Sequence, residues 1–151
     1  MAKMLKRYTF WLKAAIVFLF LTAALHSISF FVAPKIENEK DRQLSDLLHN
    51  YYHDMGAGFH RTFFDLFTAL SACYPLLCVL AGLTLGYLLW KHIEPALMRG
   101  ILLINVFVFG ICLVVMIVFT FLPPIIMTAL IFINLVVAYV LCPRDLSEPR
   151  E

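Results

Sequence analysis

Charge is scarce in this chain, and where it is missing matters more than how little there is. Charged residues make up 15% of the 151 positions and hydrophobic residues 62%, against about 25% and 45–50% in soluble domains. The run Ala14–Val32 holds no Asp, Glu, Lys or Arg, and further long uncharged runs follow. That pattern excludes an ordinary soluble core and marks membrane-crossing segments, each needing about 20 apolar residues in helical form. The four cysteines (Cys73, Cys78, Cys112, Cys142) lie in or at the end of apolar runs and form no C-x-x-C. A disulfide framework and a thiol oxidase with paired cysteines are both disfavoured, and the four read as small packing residues. There is no H-E-x-x-H, P-loop, G-x-G-x-x-G or G-x-S-x-G, which removes the zinc protease, nucleotide and hydrolase classes those motifs carry. A net charge of +2 is too small to suggest nucleic acid.

What is present divides the chain into four spans, at about 12–33, 62–90, 97–122 and 124–141. A basic head with Lys3, Lys6, Arg7 and Lys13 precedes the first. That run is longer than a signal-peptide core and no A-x-A site follows, so it reads as a retained anchor. Pro34 is expected to stop it. The outer segment 34–61 is the only sizeable hydrophilic stretch. Within it, Leu44, Leu47, Leu48, Tyr51, Tyr52 and Met55 follow helical spacing, which predicts an amphipathic helix over Glu39–Met55, broken by Gly56-Ala57-Gly58. Its apolar stripe should lie on the membrane or cap the bundle. Lys91–Pro95 reads as a tight turn, Pro123-Pro124 as a very short hairpin, and Pro143 as the stop before a polar tail. The expected fold class is all-α: a four-helix membrane bundle forming one domain, with a short extracytoplasmic amphipathic helix between spans 1 and 2.

Orientation follows from Lys and Arg. Lys3, Lys6, Arg7, Lys13, Lys91, Arg99, Arg144 and Arg150 fall on one side; Lys35, Lys40, Arg42 and Arg61 fall on the other. The bias places both termini in the cytoplasm of a multi-pass cell-membrane protein.

Two polar constellations stand out. His26 and Asp65 lie about 10 Å and about 6 Å from the outer ends of their helices at about 1.5 Å per residue, so neighbouring antiparallel spans could bring them level. With Arg61, Thr22, Ser29 and Thr68 they could pass a proton or hold a polar head group. The plainer reading is an interfacial Arg61–Asp65 pair with spacing i, i+4 and a His26 that bonds between helices. The second constellation is Asp46, His49 and His53, spaced to chelate a divalent metal on one helix face. A water-facing polar side opposite the leucine stripe explains it without metal and is the expectation preferred here. Asn105 and Asn134 are about 10 Å apart in depth and are expected to bond elsewhere on other helices. Gly82-x-x-x-Gly86 is a close-contact pattern.

Leu25-His26 late in span 1, the extended outer segment, and Arg61-Thr62-x-x-Asp65 entering a Phe-rich span that ends GLTLGYLL together carry a resemblance. The chain resembles a loose class of small, uncharacterised bacterial four-span integral membrane proteins. The resemblance implies the four-span layout and transfers no catalytic residue. The chain lacks the first-span acid of the small multidrug transporters and the paired cysteines of the vitamin K epoxide reductases. The leading expectation is therefore a non-enzymatic protein, without cofactor, that meets membrane lipid, another membrane protein or a second copy of itself. A small transporter or ligand-binding module using His26, Arg61 and Asp65 is the alternative, and an intramembrane acid–base enzyme on an apolar substrate is the next.

Overall fold

The computed structural model describes residues 2–32 and 35–144, with side chains from Arg7 onward. The Pro34 stop, the side chains of Lys3 and Lys6, and the tail beyond Arg144 lie outside the described residues. The elements are α1 (Ala2–Ile28) with a 3-10 turn at Ser29–Phe31, α2 (Glu39–Asn50), β1 (Tyr52–Asp54), β2 (His60–Thr62), α3 (Phe63–Trp90), α4 (Pro95–Phe119) and α5 (Leu122–Leu141). The described residues are all-α apart from that hairpin, and α1, α3, α4 and α5 are each long and apolar enough to cross a membrane. Two compact units are distinguished, Met1–Ala23 with Cys78–Glu151 and Ala24–Leu77.

The first unit contains parts of all four long helices, and each buries a seam of residues recurring at spacings of three, four or seven. In α1 the seam is Tyr8, Leu12, Ala15, Leu19 and Thr22; in α4 it is Met98, Leu102 and Phe109; in α5 it is Thr128, Ile131, Leu135, Ala138 and, just past the helix end, Cys142. Cys78, Ala81, Gly82 and Leu85 do the same for α3. Steps averaging 3.5 residues keep one face of a helix against its neighbours. The opposite faces are left open and greasy, as with Phe107, Ile111, Val114 and Val118 on α4.

Close approach is set by small residues. A Cβ on Gly82 would sit 3.1 Å from the Phe20 ring and one on Gly110 would sit 3.2 Å from Phe132, whereas Gly86 has nothing within 4 Å. The Gly82/Gly86 pattern is thus one tight contact and one open position. The prolines at 123 and 124 are not a hairpin turn. They fall in the first turn of α5, where the missing N–H costs nothing and the fixed φ favours helix. Thr120 and Phe121 make the link instead, and Thr120 Oγ1 donates to the Met116 carbonyl at 2.6 Å. Asn105 and Asn134 each donate to the carbonyl four residues back on their own helix, Ile101 at 2.9 Å and Leu130 at 2.7 Å. They do not reach another helix as the sequence suggested. Pro75 leaves α3 continuous from Phe63 to Trp90.

In the second unit, α2 starts where the Asn38 side chain accepts from Asp41 N–H at 3.0 Å, with Glu39 and Asp41 in the first turn, the sign the helix dipole favours. The helix stops at Asn50, so the expected continuation to Met55 is corrected. Tyr51 turns extended and Tyr52, His53 and Asp54 pair antiparallel with Thr62, Arg61 and His60. Tyr pairs suit a strand better than a helix interior. Gly56, Ala57 and Gly58 all have positive φ. Only the two glycines take that conformation without cost. Asp54 Oδ1 accepts from Gly56 N–H at 2.8 Å, and Met55 N–H reaches the Phe59 carbonyl at 2.9 Å, closing the hairpin.

Candidate functional site

The polar residues of the second unit are shaped by the junction where β2 runs into α3. Thr62 N–H donates to Asp65 Oδ2 at 3.0 Å, and Asp65 N–H donates to Thr62 Oγ1 at 3.1 Å. This reciprocal pair is a capping box: it satisfies two of the backbone donors that a helix start leaves without intrahelical partners. Asp65 is thereby committed to its own helix. Arg61 is exposed, donates through Nη1 to the His60 carbonyl at 3.1 Å and lies 5.7 Å from the Phe59 ring centroid. The ion pair among the described residues is Lys35–Glu37 at 3.0 Å, not Arg61–Asp65.

His26 makes a different bond from the one sought. Its Nε2 meets Ser71 Oγ at 2.9 Å, two turns further along α3 than Asp65. Phe30 and Tyr74 stand edge-on to the imidazole, each at 5.6 Å between centroids, and Ser29 Oγ donates to the His26 carbonyl at 2.6 Å. The expected inter-helix histidine is present, with a serine partner that was not singled out in the sequence. Thr68 is half-buried. Thr22 is buried in the first unit, and its Oγ1 has no partner among the described residues. The structure thus joins His26 with Ser71 and Asp65 with Thr62, and among the described residues of the second unit no hydrogen bond or ion pair links His26 to Arg61 or Asp65.

The metal candidates also separate. Asp46 is exposed on α2 and His49 sits in its last turn, but His53 is on β1. The i, i+4 relation between the histidines is lost when the helix ends. Among the described residues no three His, Cys, Asp or Glu side chains converge. Both histidines turn inward, against the expectation that they face water. His49 stacks on Phe64 at 4.1 Å, with Nδ1 2.8 Å from the Ser45 carbonyl oxygen, and His53 packs edge-on to Phe63 at 4.4 Å and to Tyr51 at 4.5 Å. Consequently the other side of the segment is left open. Leu44 (58% exposed) and Leu47 (61%) on α2, with Tyr51, Tyr52, Met55 and Phe59 on the hairpin, are all exposed. The polar Arg42, Gln43, Asp46 and Asn50 are exposed beside them, so these apolar side chains stand open among polar neighbours.

One polar group that works hard was counted in the sequence only as a charge. Arg99, in the second turn of α4, donates through Nη1 to the carbonyls of Tyr139 (2.7 Å) and Cys142 (2.8 Å) and stacks 4.2 Å from the Tyr139 ring centroid. Helix ends leave four carbonyls without intrahelical donors, and a guanidinium supplies fixed donors for them. Cys142 Sγ in turn donates to the Pro95 carbonyl at 3.5 Å. Burial pushes the Cys142 thiol above its ordinary pKa, with Arg99 pulling the other way. A lone arginine one turn inside a helix, followed by a run with no charge as far as Pro143, was the signal available in the sequence.

Comparison with protein-family models, curated proteins and solved structures finds no match to this chain.

Proposed function

We propose that the protein is an integral, multi-pass membrane protein without enzymatic activity, whose working surface is the segment between its first two spans. In this reading both termini are cytoplasmic and α2 with its hairpin lies on the opposite side, resting its apolar face on the lipid head-group boundary. The observation that carries it is the inversion described above: histidines folded in against Phe63 and Phe64, and Leu44, Leu47, Tyr51, Tyr52 and Phe59 left facing out. Exposed apolar faces of this kind are costly in water and favourable in the membrane interface, where tyrosine is also at home. The non-catalytic reading is supported by Asp65 and His26 each holding a structural bond, to Thr62 and to Ser71. A site using both would bring them within hydrogen-bond reach of one shared group.

The test is spin-label accessibility. A label on Leu47→Cys, in full-length protein whose native cysteines are replaced by alanine, should be reached by oxygen in preference to a water-soluble nickel chelate in liposomes. A label on Arg42→Cys, about 140° round the helix from Leu47, should show the reverse. Equal, water-like access at both positions in liposomes, with protection of Leu47→Cys in native membranes, would replace lipid by a protein partner as the occupant.

A further inference from the structure

The first unit has a cavity of about 340 Å³ at the helix ends away from the α4–α5 link, within the range of about 300–1,000 Å³ typical of small-ligand sites. Its apolar wall comes from Leu88, Leu89, Ile93 and Met98, and its polar wall from Tyr8, Thr9 and His92. Tyr8 is only 5% exposed, so a phenol is set into a largely apolar lining. No lining residue is charged, but Arg7, Lys91 and Arg99 each adjoin one in the chain, as does a single acid, Glu94. Lys91 is held over the Trp90 and Tyr87 rings at 4.7 and 5.7 Å, an arrangement typical of a head-group boundary.

His92 is the unusual residue. It follows α3 with φ of +49°, a conformation for which glycine is the low-cost choice. The stop itself is made by main chain alone: His92 N–H donates to the Leu89 carbonyl at 3.2 Å and Ile93 N–H to the Leu88 carbonyl at 3.4 Å. Histidine therefore adds nothing to the stop that glycine would lack. What it adds is an imidazole at the wall of the cavity.

We infer that this cavity receives the phosphodiester head of an anionic phospholipid, with Tyr8, Thr9 and His92 as hydrogen-bonding groups and the surrounding cations as the attractive field. Basic pockets between spans are suited to such heads, and the apolar wall gives the first part of an acyl chain a dry path. This inference rests on the membrane reading but on a different surface from α2.

The experiment is native mass spectrometry of the full-length protein from nanodiscs of phosphatidylglycerol mixed with phosphatidylcholine, with glycerol phosphate as a soluble arm. Phosphatidylglycerol should be retained about fivefold over phosphatidylcholine, the scale expected for one cation near a head group. Lys91→Gln should bring that ratio close to one. His92→Gly and Tyr8→Phe, which remove groups that would bond the phosphodiester both lipids share, should each lower total lipid retention severalfold, with melting temperature equal or higher in His92→Gly. Equal retention of the two lipids by the unaltered protein, or lipid retention unmoved in folded His92→Gly and Tyr8→Phe, overturns the site. Binding of glycerol phosphate with no lipid preference overturns the lipid as source. Failure of the membrane reading is separable, since the chain would then be released from membranes by alkaline carbonate.

Discussion

His26 and Asp65 are both polar groups placed in apolar helices, and each is stabilised by the nearest hydroxyl that geometry offers. For Asp65 that hydroxyl is three residues back on the chain, for His26 it is Ser71 of the facing segment. The Thr62-x-x-Asp65 spacing was legible as a cap, because S/T-x-x-acid before an apolar run is a helix-start signature; the sequence reading gave it to a site instead. Ser71 was not legible, since one serine among many small residues in α3 carries no periodic signal. A double-mutant cycle on His26→Ala and Ser71→Ala, read by thermal unfolding in detergent, should give a coupling of about 0.6 kcal/mol, the mean for hydrogen bonds between membrane helices. Additive effects would show that the bond contributes no specificity.

At the scale of elements, the four long helices were readable in length and placement because a run of apolar residues reports itself. Their buried seams were not. A helix with lipid on one side and protein on the other is apolar all round, so Leu12 and Leu19 in the seam look no different from Val17 and Leu21 outside it. Only small residues betray the seam, and Gly82 did so while Gly86 misled. The substitution Gly86→Ala should raise stability by up to about 1 kcal/mol, the helix-propensity difference, because its Cβ enters open space. Gly82→Ala should lower it by about 1 kcal/mol, as overpacking against Phe20 requires the ring to move. Thermal unfolding of the two variants checks both signs. The segment expected to be helical over Glu39–Met55 is helical only to Asn50, for a related reason. Leu44 to Met55 satisfies helical spacing throughout, but Tyr51-Tyr52 and the glycines beyond favour a hairpin, and periodicity alone does not weigh them.

For the molecule as a whole, the two chain ends and the α2 segment should lie on opposite sides of the membrane. A phosphatase or fluorescent reporter fused at either terminus should report the cytoplasmic side, and one inserted at the Gly56–Gly58 turn should report the other. Ends reporting different sides would remove the layout. The candidate site was far less legible than the layout. Which face of α2 is free depends on whether Phe63 and Phe64 attract the histidines, and that is decided by contacts between segments rather than by any pattern within one.

The shortest of the four rods is also the most firmly bounded. α5 begins on two prolines that cannot be recruited into a longer helix upstream, and it finishes where Arg99 claims its carbonyls. Its 20 residues therefore fix a ruler of about 30 Å, which equals the hydrocarbon thickness of an average bilayer. In the membrane reading proposed above, a thicker bilayer would have to thin around this rod, because no turn can be added at either end. Bilayer thickness would then be part of the protein's address, written in two prolines and one guanidinium.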